Sequence, residues 1–258
     1  MEDEAASRLP FDEPEQSAAA AASPRSVYSH DRAIAQGALA LPPALAVDAP
    51  NHLDGRAFLA MLPPDAVPLA FFDPQYRGVL DRQRYGNEGA RQQERAVIPQ
   101  MSDEAIGGFV GAIARVLMPS GHLLLWVDKF HLCEGIGRWL EGTDLKTVDL
   151  VTWNKRRFGM GYRTRRVSEY LMVLQKMPLR AKGCWTAHDI PDVWEEKAAQ
   201  RGHAKPVGLQ ARLVEALTGP GETVVDPAAG TYSVLQACRR AGRRFLGCDV
   251  RPATAQLP

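Results

Sequence analysis

The sequence predicts an α/β fold, a doubly wound and mainly parallel sheet with helices on both faces. Three observations predict it. Short apolar runs recur from about residue 48 onward. Stretches of helical period separate most of them, and Gly or Pro punctuates the joints. The 258 residues suffice for one large domain, residues 48–258, preceded by an arm.

Taken in order, residues 1–47 form that arm. It starts acidic, carries the alanine run Ala18 to Ala22, and has scattered Pro and Ser up to LPPALAVDAP. No apolar period persists there, so disorder is expected apart from a short helix over 33–40. The run VPLAFF predicts a strand at 67–72. Ser102 is a helix-start signal for 103–118, and HLLLWV predicts a strand at 122–127. A helix over 130–141 follows, then strands at 147–153 (TVDLVTW) and 169–175 (EYLMVLQ). Pro206 opens a helix over 206–218, which Gly219-Pro220-Gly221 stops. A strand at 222–226, a helix over 232–241 and a strand at 244–249 complete the pattern. There are no internal repeats.

Composition narrows the function classes. No apolar run approaches the roughly 18 residues of a membrane helix. The start, MEDEAASRLP, lacks the basic then apolar order of a secretory signal. Cys133, Cys184, Cys238 and Cys248 form no CxxC pair, so free thiols in a reducing compartment are expected rather than zinc or disulfides. His131 has no partner at metal spacing, and no metal is expected. These features predict a soluble cytoplasmic protein. The chain carries 31 Lys and Arg against 30 Asp and Glu, which at first argues against a basic nucleic-acid binder. That balance is misleading. Residues 1–20 hold six acids and one base, leaving 30 basic against 24 acidic residues in the rest.

Two strand ends carry chemistry, because ligands in such sheets bind beyond the carboxyl ends of the strands. The first is Asp73-Pro74-Gln75-Tyr76. The Asp73 carboxylate can accept a hydrogen bond from an exocyclic amine. The Asp73-Pro74 carbonyl can accept a second, since Pro fixes the turn. Tyr76 offers a flat face for a base. The second is Asp226-Pro227-Ala228-Ala229-Gly230-Thr231-Tyr232-Ser233, small residues leading into a helix whose N-terminus favours an anionic group. Asp249 ends the next strand, at the spacing of an acid that binds a ribose diol.

Together, in this order, the two segments resemble the amino-methyltransferases of DNA, which transfer a methyl group from S-adenosylmethionine to adenine N6 or cytosine N4. The family pattern Asp-Pro-Pro-Tyr matches residues 73–76, and Asp-Pro-Phe-x-Gly-Ser-Gly-Thr matches residues 226–233. The catalytic motif precedes the cofactor motif, as in the permuted beta class. Weaker likenesses are Asn51 to Gly55, Trp153 with Lys155, and the stretch from Asp192 through Lys205-Pro206 to Leu213. The resemblance spans residues 50–251. It implies a seven-stranded Rossmann-like methyltransferase sheet and S-adenosylmethionine as cofactor, with S-adenosylhomocysteine as product. Asp73, Pro74 and Tyr76 are then catalytic. Asp54, Asp73, Lys205, Asp226, Pro227, Ala229, Gly230, Thr231, Ser233 and Asp249 bind the cofactor, Lys205 near the methionine carboxylate. Asp in the first motif position is commoner among adenine enzymes, so N6 of a flipped-out adenine is the expected target. There are departures: Gln75 replaces the second Pro, Ala228 the Phe, and Tyr232 a Gly. The Tyr232 side chain must turn away from the loop or cover the cofactor.

Lys155, Arg156, Arg157, Arg163, Arg165 and Arg166 give six cations with no acid between Asp149 and Glu169. Following a strand on the catalytic side, they are expected to grip DNA phosphates, of a duplex with a flipped base or of a single strand. Recognition loops are expected near 77–100, 154–168 and 178–204. The absence of Pro-Cys excludes methylation at cytosine carbon 5. Three alternatives stay open: cytosine N4, RNA adenine, and a non-catalytic nucleic-acid-binding subunit with decayed motifs. The resemblance also implies a modification system or mobile element, prokaryotic or phage-encoded, and a homodimer.

Overall fold

The computed structural model describes residues 42–75, 100–159, 163–180, 182–197 and 204–251. Its order of elements is β1 (Pro50–His52), α1 (Gly55–Ala60), β2 (Val67–Phe72), α2 (Asp103–Val116), β3 (Leu117–Val127), α3 (Lys129–Glu134), α4 (Gly137–Leu140), β4 (Leu145–Asn154), β5 (Ser168–Lys176), β6 (Val193–Glu195), α5 (Val207–Leu217), β7 (Thr223–Asp226), α6 (Ser233–Ala241) and β8 (Arg244–Asp249). One sheet holds all eight strands in the order β1-β8-β7-β2-β3-β5-β4-β6. Neighbours are parallel except where β5 runs antiparallel to both β3 and β4.

The doubly wound, mainly parallel sheet read from the sequence is the one observed. Among the described residues it has eight strands where the resemblance implies seven. All six predicted strands are present, and the three-residue β1 and β6 add the other two. The predicted helix over 130–141 is two short ones, parted at Gly135, whose φ is +84°.

Two-residue alternation along the strands feeds two cores. On one face Ala70, Phe72, Leu123 and Leu125 pack with Phe58 and Leu59 of α1, Phe109 and Ile113 of α2 and Trp139 of α4. On the other, Leu69, Phe71, Leu124 and Trp126 pack with Leu209 and Leu213 of α5 and Leu235 of α6. The first core takes in Leu45, from the stretch assigned to the arm, and Ala46 donates its N–H to Asn51 Oδ1. Residues 1–41 lie outside the described residues.

Chain direction now positions the site. The ends of β1, β2, β3, β4, β6, β7 and β8 and the start of β5 share one rim. Strand order reverses between β7 and β2, and this switch point is where a crevice opens in such folds.

Candidate active site

Asp226 ends β7 and Asp73 follows β2 directly, one on each side of the switch point. Asp226 is buried, and its Oδ1 accepts the Ala228 N–H at 3.1 Å. Burial pushes its carboxyl up to about 8, and the like charges of Asp73 and Asp249 add to that, against the Ala228 bond.

The loop after β7 is shaped by close approaches. A Cβ on Gly55 would lie 2.2 Å from the Pro227 carbonyl oxygen, and one on Gly247 would lie 2.5 Å from that of Asp226. Asp54 caps α1, accepting from the N–H groups of Arg56 and Ala57, and so places Gly55 against the loop. Ala229 N donates to the Cys248 carbonyl at 2.9 Å. Asp249 Oδ2 accepts the Gly230 N–H at 2.9 Å, and its Oδ1 accepts from Arg251 N. Pro227, Ala229 and Ser233 are buried, while Gly230 and Thr231 face outward. Among the described residues no side chain caps α6.

Tyr232 resolves its own anomaly. It adopts the left-handed conformation, φ +57°, that a Gly would take without strain. Its ring turns away from the loop's outer face and is buried against Phe245, and its hydroxyl donates to the Asn51 carbonyl. The loop's outer face is thus left to small residues. Together with Asp54 and Asp249, this small-residue loop, packed at two glycines, fits a nucleoside cofactor.

Opposite the loop runs a chain of alternating charge. Lys205 Nζ lies 3.0 Å from Asp73 Oδ2 and 2.8 Å from Glu169 Oε2. Lys155 Nζ lies 3.2 Å from Glu169 Oε1. Burial works against the Glu169 charge, but Lys205 and Lys155 outweigh it and hold its carboxyl down at about 2. The Lys205 ammonium also stands 4.8 Å over the Trp126 ring. Glu196 fixes this segment from outside, accepting the Gly208 and Leu209 N–H groups at the start of α5 and the Trp194 indole N–H. Sequence reading missed Glu169 and Glu196 as parts of the site. The acid that ends a long acid-free basic run was the available signal for Glu169.

Most of the sequence-predicted cofactor and catalytic residues come together on this rim. Pro74 is buried beside Asp73; Tyr76 and the segment 76–99 lie outside the described residues. The residues flanking that segment are joined by a 2.7 Å bond from Met101 N to the Gln75 carbonyl.

The six basic residues divide. Lys155 is spent on Glu169, and the Arg166 guanidinium lies 5.6 Å over the Phe130 ring. Arg156 faces Glu195 at 3.7 Å. Arg157, Arg163 and Arg165 are exposed and make no ion pair among the described residues. In the stretch 178–204, Trp185 and Trp194 pack against the second core, while His188 is exposed.

Comparison with known proteins agrees with this geometry. Residues 67–257 match the DNA methylase family of N6 and N4 methyltransferases. The type II methyltransferase M.HhaII of Haemophilus parahaemolyticus is 52% identical over 208 residues, covering 79% of this chain and 91% of that protein. The type II methyltransferase M2.DpnII of Streptococcus pneumoniae is 24% identical over 230 residues, covering 77% of this chain and 83% of that protein. In fold the chain is similar to the cytosine-N4-specific PvuII DNA methyltransferase, with a TM-score of 0.58 and 14% identity, over 79% of this chain and 82% of that one. It is similar also to M1.HpyAVI in complex with S-adenosylmethionine, with a TM-score of 0.53 and 16% identity, over 78% and 91% of the two chains. Read together with the motifs at the two strand ends, these matches place the chain in the N6/N4 family of S-adenosylmethionine-dependent DNA amino-methyltransferases.

Proposed function

We propose that this chain methylates the exocyclic N6 amino group of an adenine flipped out of DNA. The observation that carries the reading is Asp73, set at the switch point beside Asp226 and held there by Lys205. The lone pair of such an amine is delocalised into the base, so the nitrogen is a poor nucleophile while planar. The Asp73 carboxylate and the Asp73-Pro74 carbonyl accept its hydrogen bonds, favour the pyramidal form and stabilise the charge that develops on nitrogen. Lys205, 3.0 Å from Asp73 Oδ2, holds the carboxylate in place at the rim. Tyr76 is assigned the stacking face for the flipped base.

Bound S-adenosylmethionine supplies the activated methyl group. Asp54, Lys205, Asp226, Pro227, Ala229, Gly230, Thr231, Ser233 and Asp249 would hold it, with Asp249 on the ribose diol and Lys205 toward the methionine carboxylate. The family has both N6 and N4 members, and Asp at position 73 supports adenine. The relatives' type II systems support a cytoplasmic restriction-modification role.

Mass spectrometry of nucleosides after incubation with duplex DNA, single-stranded DNA and RNA tests this. N6-methyldeoxyadenosine is the expected product, and N4-methyldeoxycytidine or product confined to RNA would overturn it. The Asp73→Ala variant is expected to lose transfer while still binding S-adenosylmethionine in a calorimetric titration. Transfer retained by that variant sinks the mechanism.

A further inference from the structure

Phe158 is 80% exposed, more than any other large hydrophobic residue described. An aromatic ring left in water forfeits the burial that usually decides its place. Here the backbone prevents collapse. The strands β4 and β5 pair through Asn154 and Ser168 and continue as a hairpin, with Lys155 N donating to the Val167 carbonyl and Gly159 N to that of Arg166. Gly159 packs so closely that a Cβ would lie 2.8 Å from the Arg166 oxygen.

Both flanks of this hairpin are braced. Asn154 accepts the N–H of Arg156, itself at φ +53°, and donates to Glu195 of β6. On the other side Lys129 Nζ donates to Thr164 Oγ1, and Arg166 lies over Phe130. The first residue beyond β4, Lys155, is tied through Glu169 and Lys205 to Asp73. The ring is therefore presented to solvent, from the rim that bears Asp73, on a framework joined to the site. Arg157, Arg163 and Arg165 stand exposed on the same hairpin.

We propose that Phe158 stacks on a base of the bound DNA next to the target, while these three arginines neutralise neighbouring phosphates. Exposed cations select a polyanion, and an exposed ring among them adds the π-face that an unstacked base accepts. A protein partner fits less well, since among the described residues of the hairpin the exposed apolar surface is one ring and the exposed charges are arginines. The assignment rests on the reading of this chain as acting on DNA, but its test does not need methyl transfer.

Fluorescence anisotropy of the full chain with a labelled single-stranded DNA of mixed sequence, across a salt series, provides that test. Phe158→Ala is expected to raise Kd by roughly 5- to 150-fold, the range for losing one stacked base. The slope of log Kd against log salt should stay unchanged, because the ring carries no charge. Phe158→Trp should retain wild-type affinity. Unchanged affinity in Phe158→Ala, or a loss that comes with a reduced slope, would overturn the proposal. Should the nucleoside analysis find no methylated product, these titrations still decide the role of Phe158.

Discussion

Asp226 carries the site's most displaced titration toward neutral pH. Its folded value, raised to about 8 from the ordinary 3.8, means the native state keeps a proton that the unfolded chain gives up. Its contribution to stability is therefore fully present below about pH 4 and is lost as pH rises through 8. The slope over that window approaches about 1.4 kcal/mol per pH unit for one proton. Asp226→Asn should flatten the dependence and raise stability at pH 8 relative to wild type. Urea midpoints taken across pH 4 to 9 check this, and a parallel dependence in both proteins refutes it. Asp226, Asp73 and Asp249 were legible in the sequence because each ends an apolar run and two of them precede Pro. Glu169 was not, because its place depends on two lysines that lie 14 residues before it and 36 after it. Tyr232 was legible as a problem and not as a solution, since the pocket beneath the loop is made by Phe245 and Asn51.

At the scale of elements, the seating of α1 against the loop after β7 is the most exacting contact. A methyl on Gly55 would meet the Pro227 carbonyl oxygen and the buried Phe109 ring, and neither a backbone carbonyl nor a packed ring yields cheaply. Gly55→Ala should destabilise the fold by about 1–3 kcal/mol and weaken S-adenosylmethionine binding. Gly111→Ala in α2 is the control, since none of the described residues lies within 4 Å of its added methyl. It should stabilise by about 0.4–1 kcal/mol. Denaturation and calorimetry on both variants decide the matter, and equal effects would show that the close approach has no consequence. The strands that own an apolar run were legible for the reason that governs Gly55, namely burial. The short β1 and β6 were not, because an edge partner supplies their pairing and no pattern of their own announces it.

For the whole molecule, charge is sorted by place. The acidic residues 2–15 precede a body with a basic excess, and among the described residues Arg157, Arg163 and Arg165 stand exposed while Lys155 is paired with Glu169. Replacing Arg157, Arg163 or Arg165 by Gln should each reduce the salt slope of DNA binding by about one. Lys155→Gln should leave that slope in place yet lower transfer, because its charge serves Glu169. Slopes from anisotropy set against turnover rates distinguish the two groups, and a slope change in Lys155→Gln would contradict the division. The order of the halves has one more consequence, for synthesis. Strand β2, apolar throughout, sits beside β7 with Leu69 opposite Val224, 155 residues later in the chain. At a typical rate of chain growth that is a delay of roughly 8–30 s. For that interval β2 lacks the β7 partner it has in the finished sheet, leaving an open apolar edge at what will become the middle of the sheet, so the permuted order predicts that maturation depends on protection of β2 until β7 leaves the ribosome.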